Sequence, residues 1–223
     1  MDIEGTLISV AFVHDILFPF AKHRLASFLY ERRHDPAVLQ WTAVCQDVIE
    51  NETGTRPLFE ELSVTLSEWI DQDRKLAGLK ALQGMIWDEG YRQRAFAPEL
   101  YGDVLPALTQ WRACGIRLGI YSSGSNQAQR LLFAHTNAGD VTSLFEHFFD
   151  TSVGEKKTAS SYRMICDQIG LPPHHILFLS DAEGELDAAA LTGFRTAQIV
   201  RPGTNASTRH PVHPGLAHLL LEG

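Results

Sequence analysis

The sequence is poor in cysteine, in basic charge and in long apolar runs, and each shortage removes a class of protein. Cys45, Cys114 and Cys166 are odd in number, widely spaced and free of any CxxC pairing. That pattern argues against a disulfide framework or a cysteine-based zinc site and implies reduced thiols, with the cytoplasm as the expected compartment. Lys and Arg total 19 against 27 for Asp and Glu, a net charge of −8, so neither a nucleic-acid partner nor an anionic membrane is expected. A local pocket of donors could still hold a small anion. No apolar run approaches the roughly 18 to 20 residues of a membrane span, and Asp2 does not suit the basic start of a signal peptide. Internal repeats and low-complexity tracts are absent as well.

What is present suffices for one domain and a sizeable insertion: 223 residues, 44% of them hydrophobic, can bury a full core. From about Phe12 to Phe96 the apolar residues keep helical spacing, as in Ile16-Leu17-Phe20, Leu25-Phe28-Leu29 and Leu62-Leu66-Trp69-Ile70, and no strand is expected there. After Pro98 short apolar runs alternate with helical patterns, the signature of parallel strands joined by crossover helices and hence of an α/β sheet. Strands are expected at Ile116 to Tyr121, at Ile176 to Leu179 and near Ala197 to Val200. Tyr162, Ile165, Cys166 and Ile169 share one face of a helix that stops at Gly170, ahead of Pro172 and Pro173.

In open parallel sheets ligands bind beyond the carboxyl ends of strands, and four places there carry chemistry. Asp2-Ile3-Glu4-Gly5-Thr6 sets two carboxylates beside a glycine that permits a tight turn. Ser122-Ser123-Gly124-Ser125 follows one strand and precedes a helix through Gln129, Leu132 and Phe133, a start suited to phosphate. Ser125 is better explained as the cap of that helix. Lys156 and Lys157 precede the Tyr162 helix and offer a fixed positive charge. Asp181, after Ser180, closes the most apolar run, where a carboxylate suits an oxygen-seeking cation. Glu183, Glu185 and Asp187 enrich the next helix start, where the helix dipole is account enough, although one of them could orient a metal-bound water. Each motif alone is commonplace; the four in this order are not.

DxxGT, a strand-terminal Ser, a Lys and a strand-terminal SD in that order resemble the motifs of haloacid dehalogenase phosphatases, and the resemblance covers the whole chain. More narrowly, DIEGT, AFVHDILFPFA, LQGMIW, IYSSGSNQAQ and FLSD resemble the enolase-phosphatase (acireductone synthase) family, in which Glu replaces the second Asp of related phosphatases. The resemblance implies a HAD-like Rossmannoid parallel sheet flanked by helices, built from residues 1–12 and 96–223, with an inserted all-helical cap, 13–95. It implies magnesium-dependent conversion of 2,3-diketo-5-methylthiopentyl-1-phosphate to an acireductone and phosphate in methionine salvage, by enolisation and then dephosphorylation. The expected partner is this small phosphorylated metabolite, and a monomer is expected.

By the same resemblance Asp2 is the nucleophile that forms an aspartyl-phosphate, and Glu4 is general acid and then base. Ser122, Ser123 and Lys156 cradle the phosphate or the adjacent carbonyl; Lys156 is preferred to Lys157 because GxK matches the family spacing. Asp2 and Asp181 hold the magnesium, with Glu4 as a third ligand, its backbone oxygen being one route. Trp87 and Phe20 could select the methylthio tail, although a place in the helical core explains them better.

The chain also departs from that pattern. Only Met1 precedes Asp2, where a central strand of about five residues is expected. The first strand therefore reads as truncated, two neighbours lose backbone partners, and a free α-amino group of pKa about 7.7 to 8.0 competes for the Asp2 carboxylate. Poor folding or weak activity is the expectation. Leu7 stands where a second threonine is common. The rivals are another capped phosphatase acting on a sugar phosphate or nucleotide, and a catalytically silent binding protein. A serine hydrolase is excluded because Ser122 and Ser123 lack the glycines of GxSxG, and the His210 to His213 loop reads as surface rather than as a metal site.

Overall fold

The structure, a computed structural model, describes residues 1–219. The chain forms two compact units, one of Met1–Phe12 with the chain from Ala97 onward, the other of Val13–Phe96.

The Val13–Phe96 unit is helical throughout, with α1 (Phe18–Glu31), α2 (Pro36–Thr53), α3 (Leu62–Asp71) and α4 (Ala77–Arg92). Local sequence sets the limits of α2: the Asp35 side chain accepts the Ala37 N–H at 2.9 Å, Pro36 opens the first turn, and Gly54 closes the helix at φ 75°. Leu25, Leu62, Leu66, Leu82 and Ile86 are fully buried and form the core. Gly78 brings α4 against α2, since a Cβ there would stand 2.6 Å from the Cys45 Sγ. Trp87 donates its indole N–H to the Leu17 carbonyl at 2.8 Å and stacks on Phe18, and Phe20 meets Phe96 edge-on. Both aromatics are therefore engaged within the helical core.

The other unit is α/β. Its strands are β1 (Gly119–Tyr121), β2 (His147–Phe149), β3 (Leu177–Ser180), β4 (Arg195–Ile199) and β5 (Val212–His213), and its helices are α5 (Val104–Ala113), α6 (Asn126–Ala134), α7 (Ala159–Ile169) and α8 (Glu183–Ala190). Every ladder is parallel, but the strands form two groups, β1-β2 and β3-β4-β5. Met1 and Asp2 lie between them. The Met1 amine donates to the Gly119 carbonyl at 2.9 Å, the Met1 carbonyl accepts the Tyr121 N–H at 2.8 Å, and the Asp2 N–H donates to the Leu179 carbonyl at 2.8 Å. Two residues of main chain thus bridge the halves, where the sequence leads one to expect a shortened central strand.

Tyr121, Tyr162, Phe178 and Phe194 pack largely edge-on between β1, β3, α7 and the turn before β4. Behind the first loop, the buried Arg201 guanidinium donates twice to the Thr6 carbonyl and pairs with Asp103 at 2.8 Å. That pins the loop after β4 to the Asp2–Thr6 turn. Leu7 is fully buried beside it. His210, expected at the surface, is instead held between Asp187 at 3.0 Å and Thr196 at 2.9 Å. Among the described residues no helix is long and apolar enough to cross a membrane.

Candidate active site

The site gathers at the carboxyl ends of β1 and β3. Asp2 is 3% exposed, fixed by its main-chain bond to β3 and followed by a tight loop in which Leu7 N–H returns to the Ile3 carbonyl at 2.8 Å. Gly5 takes φ 73°, and any Cβ there would collide with the Asp181 carboxylate. The Thr6 hydroxyl accepts the Asp181 N–H at 3.1 Å. Two residues of this loop therefore set where the Asp181 side chain can lie, close enough to Asp2 to feel its charge: burial first, then the Asp2 carboxylate, push the Asp181 carboxyl up to about 6. Gly5→Ala should displace Asp181 and strain the loop. The expected result is a loss of roughly 1–3 kcal/mol in stability and a fall in phosphate release of at least about 100-fold, checked by denaturant melts and steady-state turnover on one preparation.

Lys156 enters from the loop before α7, which three hydroxyls fix. Tyr121 donates to the Gly154 carbonyl at 2.9 Å, Ser161 to that of Glu155 at 2.8 Å, and Tyr162 to that of Lys156 at 2.7 Å. The Lys156 ammonium contacts the Asp2 carboxylate and pairs with Glu185 at 2.8 Å. Burial pulls its pKa down, yet these two carboxylates hold it above the usual lysine range. Lys157 is exposed.

Ser122 is buried at the end of β1 and donates to the Glu4 carboxylate at 3.3 Å. Burial and then Asp2 raise the Glu4 pKa, with Lys156 opposing. Ser123 follows, half-buried. Ser125 caps α6, accepting the Ala128 N–H at 3.2 Å. The structure thus brings Asp2, Glu4, Ser122, Lys156 and Asp181 to one locality.

One expectation changes. The Met1 amine bonds the Gly119 carbonyl at 2.9 Å rather than Asp2, and burial pushes its pKa down to about 5. Among the described residues no three His, Cys, Asp or Glu side chains form a group placed for a metal ion, and the Glu4 carboxylate is turned to Ser122.

Glu185 was read from sequence as helix-dipole decoration. It is 8% exposed, accepts the Ser180 hydroxyl at 2.9 Å and shares Lys156 with Asp2. The available signal was its position one helical turn after Asp181, which places both at the same end of β3. Burial and then Asp2 raise its pKa. Asp2 and Glu185 pair with the Lys156 ammonium, and the Glu4 and Asp181 carboxyls lie near enough to feel its charge. A phosphate ester would meet net negative charge here, so the donor set fits a hard, oxygen-liganded cation.

Residues 1–193 match the family model described as haloacid dehalogenase-like hydrolase, which sets the class. Within it the chain belongs to the enolase-phosphatase family. It is 50% identical to the enolase-phosphatase E1 of Gluconacetobacter diazotrophicus, over 95% of this chain and 88% of that protein. It is 47% identical to the enolase-phosphatase E1 of a Picosynechococcus species, over 94% of this chain and 92% of that protein. Among solved structures, the Unknown transcript 4 protein of Saccharomyces cerevisiae superposes with a TM-score of 0.78 at 30% identity, covering 98% of this chain and 97% of that one. The phosphate complex of CbbY from Rhodobacter sphaeroides, at 13% identity and a TM-score of 0.63 over 97% of this chain and 93% of that one, shares the fold.

Proposed function

We propose that this chain converts 2,3-diketo-5-methylthiopentyl-1-phosphate to an acireductone and phosphate, the enolase-phosphatase reaction of methionine salvage, with magnesium as its metal. The observation that carries the reading is the meeting of Asp2, Lys156 and Asp181 at one strand end, with Glu4 two residues beyond the nucleophile. The helical Val13–Phe96 unit serves as the cap.

Asp2, Asp181 and the backbone oxygen of Glu4 would hold the magnesium. When bound it supplies positive charge against the phosphoryl oxygens and Lewis acidity toward the substrate carbonyl. Asp2 attacks phosphorus, the P–O ester bond breaks, and the departing oxygen takes a proton from Glu4, whose raised pKa keeps that proton available. A water then attacks the aspartyl-phosphate, Glu4 takes the proton back, and phosphate leaves with the Asp2 carboxylate restored. Lys156 holds the Asp2 carboxylate in place, and Ser122 and Ser123 donate toward the phosphoryl or carbonyl oxygens.

The test is to assay phosphate and acireductone release together. Equal yields from the diketo phosphate, lost on chelation and regained with magnesium, are expected; phosphate release from sugar phosphates or nucleotides alone would point to the other kind of capped phosphatase. Glu4→Gln should cut phosphate release by roughly 10²–10⁴-fold. A kcat profile that keeps the parent's pH dependence in this variant would remove Glu4 from the acid-base role.

A further inference from the structure

Gln198 stands in β4 opposite Ser180 of β3, 1% exposed, between the buried Ala197 and Ile199. An apolar side chain is the ordinary occupant of such a place, because a buried amide is costly unless its polar atoms find partners. Here each of them does. Nε2 donates to the Asp181 carbonyl at 2.7 Å and to the Asn205 carbonyl at 3.0 Å, and Oε1 accepts the Ser207 N–H at 2.6 Å. Those partners fix which end of the amide is nitrogen, since two carbonyls can face only a donor. We propose that Gln198 is a positioning residue for the metal site: it holds the main chain of Asp181 so that the carboxylate is in place before magnesium binds. The proposal rests on the reading of Asp181 as a magnesium ligand.

Asp181 stands in the step between β3, which ends at Ser180, and α8, which starts at Glu183. The first turn of α8 uses the Ala182 carbonyl, which accepts from Glu185 and Leu186, so the Asp181 carbonyl belongs to neither strand nor helix. Side chains take its main-chain groups instead: Thr6 accepts the N–H at 3.1 Å, and Gln198 donates to the carbonyl. These groups lie in the two planar peptide units that flank the Asp181 Cα, and fixing both planes fixes the direction in which the side chain leaves. Only the side-chain torsions remain, and the carboxylate fills the space that Gly5 leaves open. The same amide orders the loop after β4 through Asn205 and Ser207, and the Ser207 hydroxyl donates to Glu183 and accepts the Arg209 N–H at 2.9 Å. Loop order alone needs the contacts to Asn205 and Ser207. The bond to Asp181 is the one it does not need.

The test measures magnesium affinity by calorimetry on the substrate-free protein at pH 7.5, and the magnesium dependence of phosphate release on the same preparations. Gln198→Met should weaken magnesium binding by about 10–100-fold. Its kcat at saturating magnesium should stay close to the parent's, because the Asp181 carboxylate and the other site residues remain. Gln198→Asn keeps an amide but shortens its reach by one carbon, so it should fold even where Gln198→Met does not and should weaken binding by at least about 10-fold. Ser207→Ala cuts the loop from Glu183 but keeps the N–H that Gln198 accepts; its Tm should fall with magnesium affinity unchanged. Parent-like affinity in the Gln198 variants, or an equal loss of affinity in Ser207→Ala, overturns the proposal. A parent that binds no magnesium overturns the metal reading itself, and this proposal with it.

Discussion

Asp2→Asn should reduce phosphate release from the diketo phosphate by at least about 10⁴-fold while leaving the protein folded. A carboxamide of the same shape cannot form an acyl phosphate under these conditions, so an acid quench during turnover should trap phosphorylated protein for the parent and none for the variant. Folding survives for a local reason. The main chain of residue 2 still donates to Leu179, and Lys156 keeps Glu185 as a partner at 2.8 Å. One of four crowded carboxyls has also gone, so the burden that raises the pKa values of Asp181 and Glu185 falls, and Tm should match or exceed the parent's. Turnover within tenfold of the parent would dismiss Asp2 as nucleophile; a collapsed Tm would show that its charge mainly holds the fold.

The same crowding explains what sequence could and could not convey. Ser122, Lys156 and Asp181 were legible because each follows an apolar run or precedes a helix, and Asp2 because it opens the carboxylate pair ahead of Gly5. Glu185 was not, because an acidic residue in the first turn of a helix already has a sufficient local cause, and its partnership with Lys156 exists only in three dimensions. β2 and β5 are 3 and 2 residues long, too short for any alternation to register. His210 was misjudged for a related reason: its partners Asp187 and Thr196 are distant in sequence. The helical unit, by contrast, carries its own limits in Asp35, Pro36 and Gly54. The fate of the Met1 amine depends on burial between two strands, which no pattern of residues encodes.

Lys156→Met is the more severe test of how the site is held together. Methionine fills nearly the same volume, so what is lost is the ammonium that Asp2 and Glu185 share. Removing one partner from a buried ionic group leaves the other charge uncompensated and costs about 3–5 kcal/mol. At pH 7.5, without added metal, denaturant melts should show a loss of that size, and phosphate release should disappear because Asp2 is no longer positioned. The pH dependence has a definite sign. Glu185 and Asp181 are already raised above their unfolded values by burial and by Asp2, and loss of the ammonium raises them further. A group with a raised folded pKa binds its proton more tightly when folded, so its stabilisation is complete below the unfolded pKa, near 4, and vanishes as pH climbs through the folded value. The deficit of Lys156→Met should therefore shrink on acidification from pH 7.5 to 5. Adding Glu185→Gln to the variant should recover part of the stability at pH 7.5 by removing one unpaired charge, and leave phosphate release absent. A deficit unchanged by both acid and the second substitution would mean that Lys156 acts through packing, and that the excess of carboxylates at this strand end is not what its ammonium balances.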